Sequence, residues 1–306
     1  MQVMLEDCHR GSRAKPQVVD QHGPIQPGPV VLGTPQNFWL WKESSGFDLT
    51  HPATPTSEPV TPRIELEAFN ARITIAPQKT ALVVVDVQNL LALHPPNVNN
   101  RAEETILKFA IPAARQAGIQ VVWLNWGLTE DDLKNLNPTT QRIHAFDPDG
   151  TSQLNKGFGH DMGHVKLENG EVVQAGRFLM QGQWNTRLHG PSEAAYMEGL
   201  ECNPPDRLFY KNRISGMCET KTECTDFLTQ AGIKTLLFAG CNTDVCVMAT
   251  LQDASLKNFD CVLLADGTGT SNGERAQWAT ERNCRKGWGF VSSCEALKEG
   301  VDSMRK

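Results

Sequence analysis

The sequence predicts an α/β protein: a doubly wound, mostly parallel six-stranded sheet with helices on both faces, preceded by an N-terminal arm. Three observations predict it. Short apolar, β-branched runs recur from residue 81 onward, the signature of strands buried on both faces. Amphipathic segments alternate with them, and repeated β-α-β units imply a parallel sheet covered by helices. Nine of the 18 prolines fall within residues 1–62, in a stretch without helical period, which sets an irregular arm apart from the body.

The arm (1–75) contains NFWLWKESSGFDLT at 37–50, which reads as a small hairpin: a Trp-rich strand, a Ser-Ser-Gly turn and a second short strand. Two nearby tryptophans are costly to leave in water, so the arm is expected to pack on the body or on a partner subunit.

The body (76–306) opens with the strand ALVVVDVQ (81–88). A helix follows over 101–118, with acidic residues early and Gly118 as its stop. IQVVWLNW (119–126) is the second strand and RLFYK (207–211) the third, followed by a helix over 219–232. IKTLLFAG (233–240) is the fourth, a helix spans 244–258, and FDCVLLAD (259–266) is the fifth. A helix over 272–284 and the short run GFVSS (289–293) complete the series. The segment 127–205 breaks this rhythm. It holds His144, His160 and His164 and many glycines, and it leaves the second strand at the edge where open α/β sheets bind ligands, so it is expected to form an insertion over the site. No internal repeat is visible.

Composition narrows the function. With 29 Lys+Arg against 35 Asp+Glu the formal net charge is −6, a poor match to nucleic acid or anionic membranes. At 40% hydrophobic and 21% charged the chain is ordinary for a globular protein, and no window approaches a membrane span. The N-terminus lacks the apolar core of a signal peptide, which leads to the expectation of a cytoplasmic protein. The nine cysteines match no zinc spacing and are expected to be reduced.

Reactive side chains coincide with three strand ends. Asp86 closes the first strand, Lys211 closes the third, and Cys246 sits just after the fourth, in the first turn of a helix. All three strands open on one edge, so the three residues converge if their strands are neighbours. A helix N-terminus and a nearby ammonium both stabilise a thiolate. Taken singly, each has a structural reading: a buried inert thiol, a turn-capping carboxylate, a solvated lysine. Cysteine nucleophiles usually take a histidine base, but no histidine follows residue 189, which leaves an aspartate base with a lysine partner.

These residues resemble the isochorismatase-like cysteine hydrolase superfamily, whose motifs read here as ALVVVDVQN, the Lys of YKNRISGM, and AGCNTDVCVMAT with its trailing LQDA. The resemblance covers about residues 77–300. The Trp-rich arm and the phrases LNWGLTEDDL and GRFLMQGQWNTRLHGP look like those of longer fungal members. The resemblance implies a catalytic triad of Asp86, Lys211 and Cys246, a cis peptide at Cys241–Asn242, and an oxyanion hole from the amides of Asn242 and Cys246. Retention of the cysteine favours acyl chemistry on a small amide, ureide or carbamoyl group. Isochorismate hydrolysis releasing pyruvate and a catalytically silent binding member are the alternatives. Nicotinamidases of the superfamily bind a metal through an Asp and histidines; here His94 has no such companion, so no metal or other cofactor is expected. Gln88, Trp126, Trp184 and Arg213 are candidate substrate-binding residues, Arg213 for a substrate carboxylate. Relatives carry a Phe a few residues after the first Asp where this chain has Leu90 and Leu91, which implies a differently shaped pocket. The expected partners are a small-molecule substrate and further copies of the chain, as a dimer or tetramer.

Overall fold

The structure, a computed structural model, describes residues 28–304 except 59, 94–97, 148–149, 155 and 168, so residues 1–27 of the arm and His94 lie outside the described residues. At 91, 92 and 98–100 only the backbone is described.

The arm folds as a small sheet. β1 (Val30–Thr34) pairs antiparallel with β2 (Asn37–Lys42), β2 turns back into β3 (Gly46–Asp48), and β3 runs parallel to β5 (Ala71–Ile75), which is antiparallel to β4 (Ile64–Ala68). The alternation in IELEA and ARITI puts Ile64, Leu66, Ile73 and Ile75 on one buried face. That face joins the apolar layer of the body that holds Leu82 and Val84. The indole of Trp39 donates to Asp260 at 2.7 Å, and His51 lies 2.6 Å from the same carboxylate. The arm therefore docks on its own body, with Asp260 as the shared anchor.

The body carries β6 (Thr80–Val85), β7 (Gln120–Trp126), β10 (Arg207–Lys211), β11 (Thr235–Cys241), β12 (Asp260–Gly269) and β13 (Phe290–Ser292); a two-stranded ladder, β8 (His164–Lys166) with β9 (Val172–Gln174), lies in the insertion. The six-stranded sheet is parallel throughout, in the order β10-β7-β6-β11-β12-β13. Both faces are buried: Val83, Val85, Val122 and Leu124 enter one apolar layer, and their neighbours Leu82, Val84, Val121 and Trp123 the other. This is why the strands read as unbroken apolar runs rather than alternating ones.

The chain proceeds outward from β6 through β7 to β10, then returns to the far side of β6 with β11. The reversal falls between β6 and β11, and open α/β sheets bind ligands in the crevice outside such a point. Gly240 lets the two strands close there. It pairs with Val85, has φ +110°, and a Cβ on it would meet the Val85 carbonyl at 2.1 Å. None of the eight described cysteines is in a disulfide, and no helix of the described residues is long and apolar enough to cross a membrane.

Candidate active site

Asp86 is the first residue past β6 and takes a left-handed backbone conformation, φ 53°, in which few residues other than glycine and asparagine rest easily. Its amide donates to the Leu124 carbonyl at 2.9 Å, and its Oδ1 accepts from the Trp126 amide at 2.9 Å. The carboxylate is thus held against the end of β7. Cys246 lies in the π-helical turn Thr243–Val247 that follows β11 and leads into the helix Met248–Leu256. Asp244 fastens this turn to the loop after β12, accepting from Thr270 Oγ1 at 2.5 Å and from Asn272 Nδ2 at 2.8 Å. The Cys241–Asn242 peptide that precedes the turn is cis.

Lys211 arrives from further away than neighbouring strands would require. β10 is separated from β6 by β7, so the lysine reaches across the end of β7, with Nζ 3.8 Å from the centre of the Trp126 ring. It ends 3.0 Å from Asp86 Oδ2 and 3.4 Å from Cys246 Sγ, and it donates to the Arg213 carbonyl at 3.2 Å. The ammonium thus faces a carboxylate, a thiol and a carbonyl. Asp86, Lys211 and Cys246 are 4%, 4% and 8% exposed, so the cluster is closed to bulk water.

Burial governs the charges here. Desolvation raises the Asp86 pKa above the ordinary carboxylate value, opposed by the Lys211 ammonium and by hydrogen bonds from Cys246, Lys211 and Trp126. Desolvation pushes the Cys246 thiol up to about 12, with Lys211 opposing and Asp86 adding to the rise. At rest the thiol is therefore neutral, beside the Asp86–Lys211 salt bridge.

The cavity over Cys246 has a volume of about 100 Å³ and is lined by Asp86, Gln88, Leu90, Trp126, Ile143, His144, Leu179, Ile214, Cys241, Asn242, Val245 and Cys246. Of the four substrate-binding candidates, Gln88 and Trp126 line it and Trp184 and Arg213 do not. Gln88 spends its amide on structure: Oε1 accepts from the Trp126 amide at 2.9 Å and Nε2 donates to the Asn185 carbonyl at 3.2 Å. Trp184 sits in a 3₁₀ turn whose carbonyl accepts from Asn89. Arg213 points its guanidinium at the carbonyls of Asn212 and Asn135. Asn242 stands at the N-cap of the Cys246 turn, and its carbonyl accepts from the amides of Val245 at 3.1 Å and Val247 at 3.2 Å. Its side-chain Oδ1 is buried without a hydrogen-bond partner.

Among the lining residues beyond the sequence-based candidates, His144 is the polar, titratable one. His144 belongs to the insertion, on the helix Pro138–Ala145, whose start at Asn137-Pro138 carries a capping side chain and a proline in the first turn. Its ring meets Trp126, Phe158 and Phe178 with centroids 6.1, 5.1 and 5.2 Å away, each edge to face. Desolvation, and after it the charge of Lys211, lowers its pKa to about 4, so the imidazole is neutral at physiological pH. The Asn-Pro start and the helical placing of Ile143 and His144 were the available signals. Of the other histidines in the insertion, His160 stacks on Phe178 and His164 lies exposed in β8; among the described residues no three His, Cys, Asp or Glu side chains gather as metal ligands.

Comparison with known proteins bears on the family and the fold. The family model described as an isochorismatase domain matches residues 80–288. The ureidoacrylate amidohydrolase RutB of Enterobacter sp. (strain 638) is 30% identical over 244 residues, covering 76% of this chain and 95% of that one. Among solved structures, a cysteine hydrolase from Pseudomonas syringae pv. phaseolicola 1448A superposes with a TM-score of 0.54 at 16% identity, over 80% of this chain and 99% of that one. The nicotinamidase PncA from Bacillus subtilis superposes with a TM-score of 0.50 at 20% identity, over 70% and 99%. At these identities the two structures speak for the fold.

Proposed function

This chain belongs to the isochorismatase family and is a hydrolase, and we propose that it cleaves a small C–N bond, in an amide, ureide or carbamoyl substrate, through an acyl-cysteine intermediate. The observation that carries the proposal is the convergence of Asp86, Lys211 and Cys246, from three separate strand ends, on one buried point that faces a cavity.

In the proposed reaction Cys246 Sγ attacks the carbonyl carbon as its proton passes to Asp86. This transfer moves a proton within the cluster and leaves its net charge unchanged, so no new charge has to be buried. The raised pKa of Asp86 narrows the gap to the thiol. Lys211 remains charged and faces both groups, compensating whichever one holds the negative charge. The tetrahedral oxyanion is received by the amides of Asn242 and Cys246, where removal of one such donor costs roughly 3 kcal/mol in known enzymes. Asp86 then protonates the departing nitrogen as the C–N bond breaks. Water attacks the thioester, gives its proton to Asp86, and the thiol leaves reprotonated. The amidohydrolase name of the RutB relative supports the choice of an amide-type bond.

Isochorismate hydrolysis finds less support in the cavity. That substrate carries carboxylates, and no arginine is among the lining residues. The test is ammonia release from a panel of small amides, ureides and carbamoyl acids, with isochorismate run alongside for pyruvate, comparing wild type with Cys246→Ala. Ammonia from wild type alone is the expected result. Turnover retained by Cys246→Ala would remove the acyl-cysteine mechanism, and pyruvate without ammonia would replace the reaction.

A further inference from the structure

The cavity holds two polar groups whose hydrogen-bonding capacity is unspent. Asn242 Oδ1 is buried with nothing donating to it. His144 lines the same space, is half-buried, and makes edge-to-face ring contacts but no hydrogen bond to any described residue. The rest of the polar lining is committed: Gln88 at both ends of its amide, and Asp86 in the pair with Lys211. Lys211, beside the cavity, already faces Asp86 Oδ2, Cys246 Sγ and the Arg213 carbonyl, and no Lys or Arg is among the lining residues.

A buried, unpartnered amide oxygen such as Asn242 Oδ1 is costly unless a ligand completes it. A neutral imidazole offers one donor and one acceptor, and an amide oxygen offers an acceptor. A carboxylate placed here would exchange water for apolar walls and at most one donor from the ring, whereas an uncharged amide would find a partner for its N–H and its C=O.

Resting on the acyl-cysteine reading above, we propose that His144 and Asn242 form a recognition site for the uncharged polar part of the substrate, with His144 as the residue that makes the enzyme prefer neutral amides over carboxylate-bearing ones. The enclosed volume agrees with a small group. An engineered apolar cavity of about 150 Å³ admits benzene, so the 100 Å³ here suits a smaller planar fragment. The discrimination comes from the insertion, not from the strand ends that carry the reacting groups.

The test needs no knowledge of the substrate. Iodoacetamide and iodoacetate have nearly the same size, alkylate a thiolate with loss of iodide, and differ in carrying a carboxamide or a carboxylate. Their rates at Cys246 are read by mass spectrometry of its peptide, with exposed Cys218 of the same molecule as the reference for intrinsic reagent reactivity. The amide-to-acid rate ratio at Cys246 is expected to exceed that at Cys218 at least tenfold. His144→Phe keeps the ring packing but removes both nitrogens, and is expected to bring the ratio within about threefold of the reference; His144→Asn is expected to restore most of it. Equal ratios at the two cysteines in wild type, a ratio unmoved by His144→Phe, or no alkylation of Cys246 by either reagent would each overturn the proposal. None of these outcomes bears on whether Cys246→Ala abolishes ammonia release, so the two readings fail separately.

Discussion

Asp86, Lys211 and Cys246 stand at the ends of strands joined in one continuous parallel ladder, whereas His144 and Leu179 sit above them on an insertion tied down by single bridges and side-chain bonds. The floor is positioned by sheet register: β6, β7 and β11 are paired over five or more residues each, and Gly240 sets how closely two of them approach. The roof is positioned by Asn185. Its Oδ1 accepts from the Leu179 amide at 2.8 Å, its Nδ2 donates to the carbonyls of Ala175 at 2.8 Å and Arg177 at 3.0 Å, and its own carbonyl accepts from Gln88. The isolated bridges Gln88↔Leu188 and Leu128↔Met180 complete the fastening. The groups proposed to react thus sit at the ends of the continuous ladder, whereas His144, proposed to meet the rest of the substrate, sits on the insertion.

The largest effect is expected where the floor is broken. Lys211→Met leaves Asp86 buried without its counter-charge, and removal of one partner of such a pair typically costs about 3–5 kcal/mol. Asp86→Asn removes the proposed base and should lower kcat/KM by about 10²–10⁴-fold. The double variant should be more stable than Lys211→Met alone, because the stranded charge is gone; denaturant unfolding of the three proteins closes the cycle. A Lys211→Met protein within about 1 kcal/mol of wild type would mean that the pair is solvated in solution and that the floor is softer than the ladder suggests.

A smaller and different effect is expected from Asn185→Ala. Three side-chain hydrogen bonds at roughly 1 kcal/mol each put the loss near 3 kcal/mol, felt first in the roof. Hydrogen exchange at the Leu179 amide should accelerate strongly while the β6 and β11 amides remain protected. Uniform acceleration across both regions would show that roof and floor unfold as one unit, and the distinction between them would disappear.

What was legible in the sequence follows the same division. The six strands and the convergence of Asp86, Lys211 and Cys246 on one edge are local consequences of apolar runs and of the rule that parallel strands end together. The order of the strands was not legible, so the reach of Lys211 across β7 and over Trp126 had to come from the structure. The strands β4 and β5 lie in the arm that its proline-rich composition marks as irregular, although IELEA and ARITI alternate clearly. The case for Trp184, in the roof, and Arg213, in the loop after β10, rests on chemistry and nearness in sequence. The direction of a loop side chain is set by backbone turns that residue type does not reveal, and both point elsewhere. The sequence marks His144 only as one of three insertion histidines, since its meeting with Trp126, Phe158 and Phe178 joins residues from separate segments.

The smallest effect concerns the joint between the two regions. His189 ends the descent of the insertion and lies 2.6 Å from Glu103, on the helix Val98–Thr105 that packs against the sheet; Ser192 donates to the other oxygen of Glu103 at 2.6 Å. The hydrogen bond to Glu103 raises the His189 pKa, against partial desolvation. A histidine whose pKa is higher in the folded than in the unfolded protein contributes stability that is complete below about 6.5 and is lost as pH rises through the raised value. His189 is partly exposed, so solvent screening keeps the contribution to about 1 kcal/mol or less, or a few degrees of Tm in a protein of this size. Melting curves from pH 6 to 9 should show this decline in wild type, and Glu103→Gln should flatten it while leaving Asp86, Lys211 and Cys246 untouched. If the pH slope survives in Glu103→Gln, the titrating group lies elsewhere, and the insertion is held at this corner by Ser192 and the backbone alone.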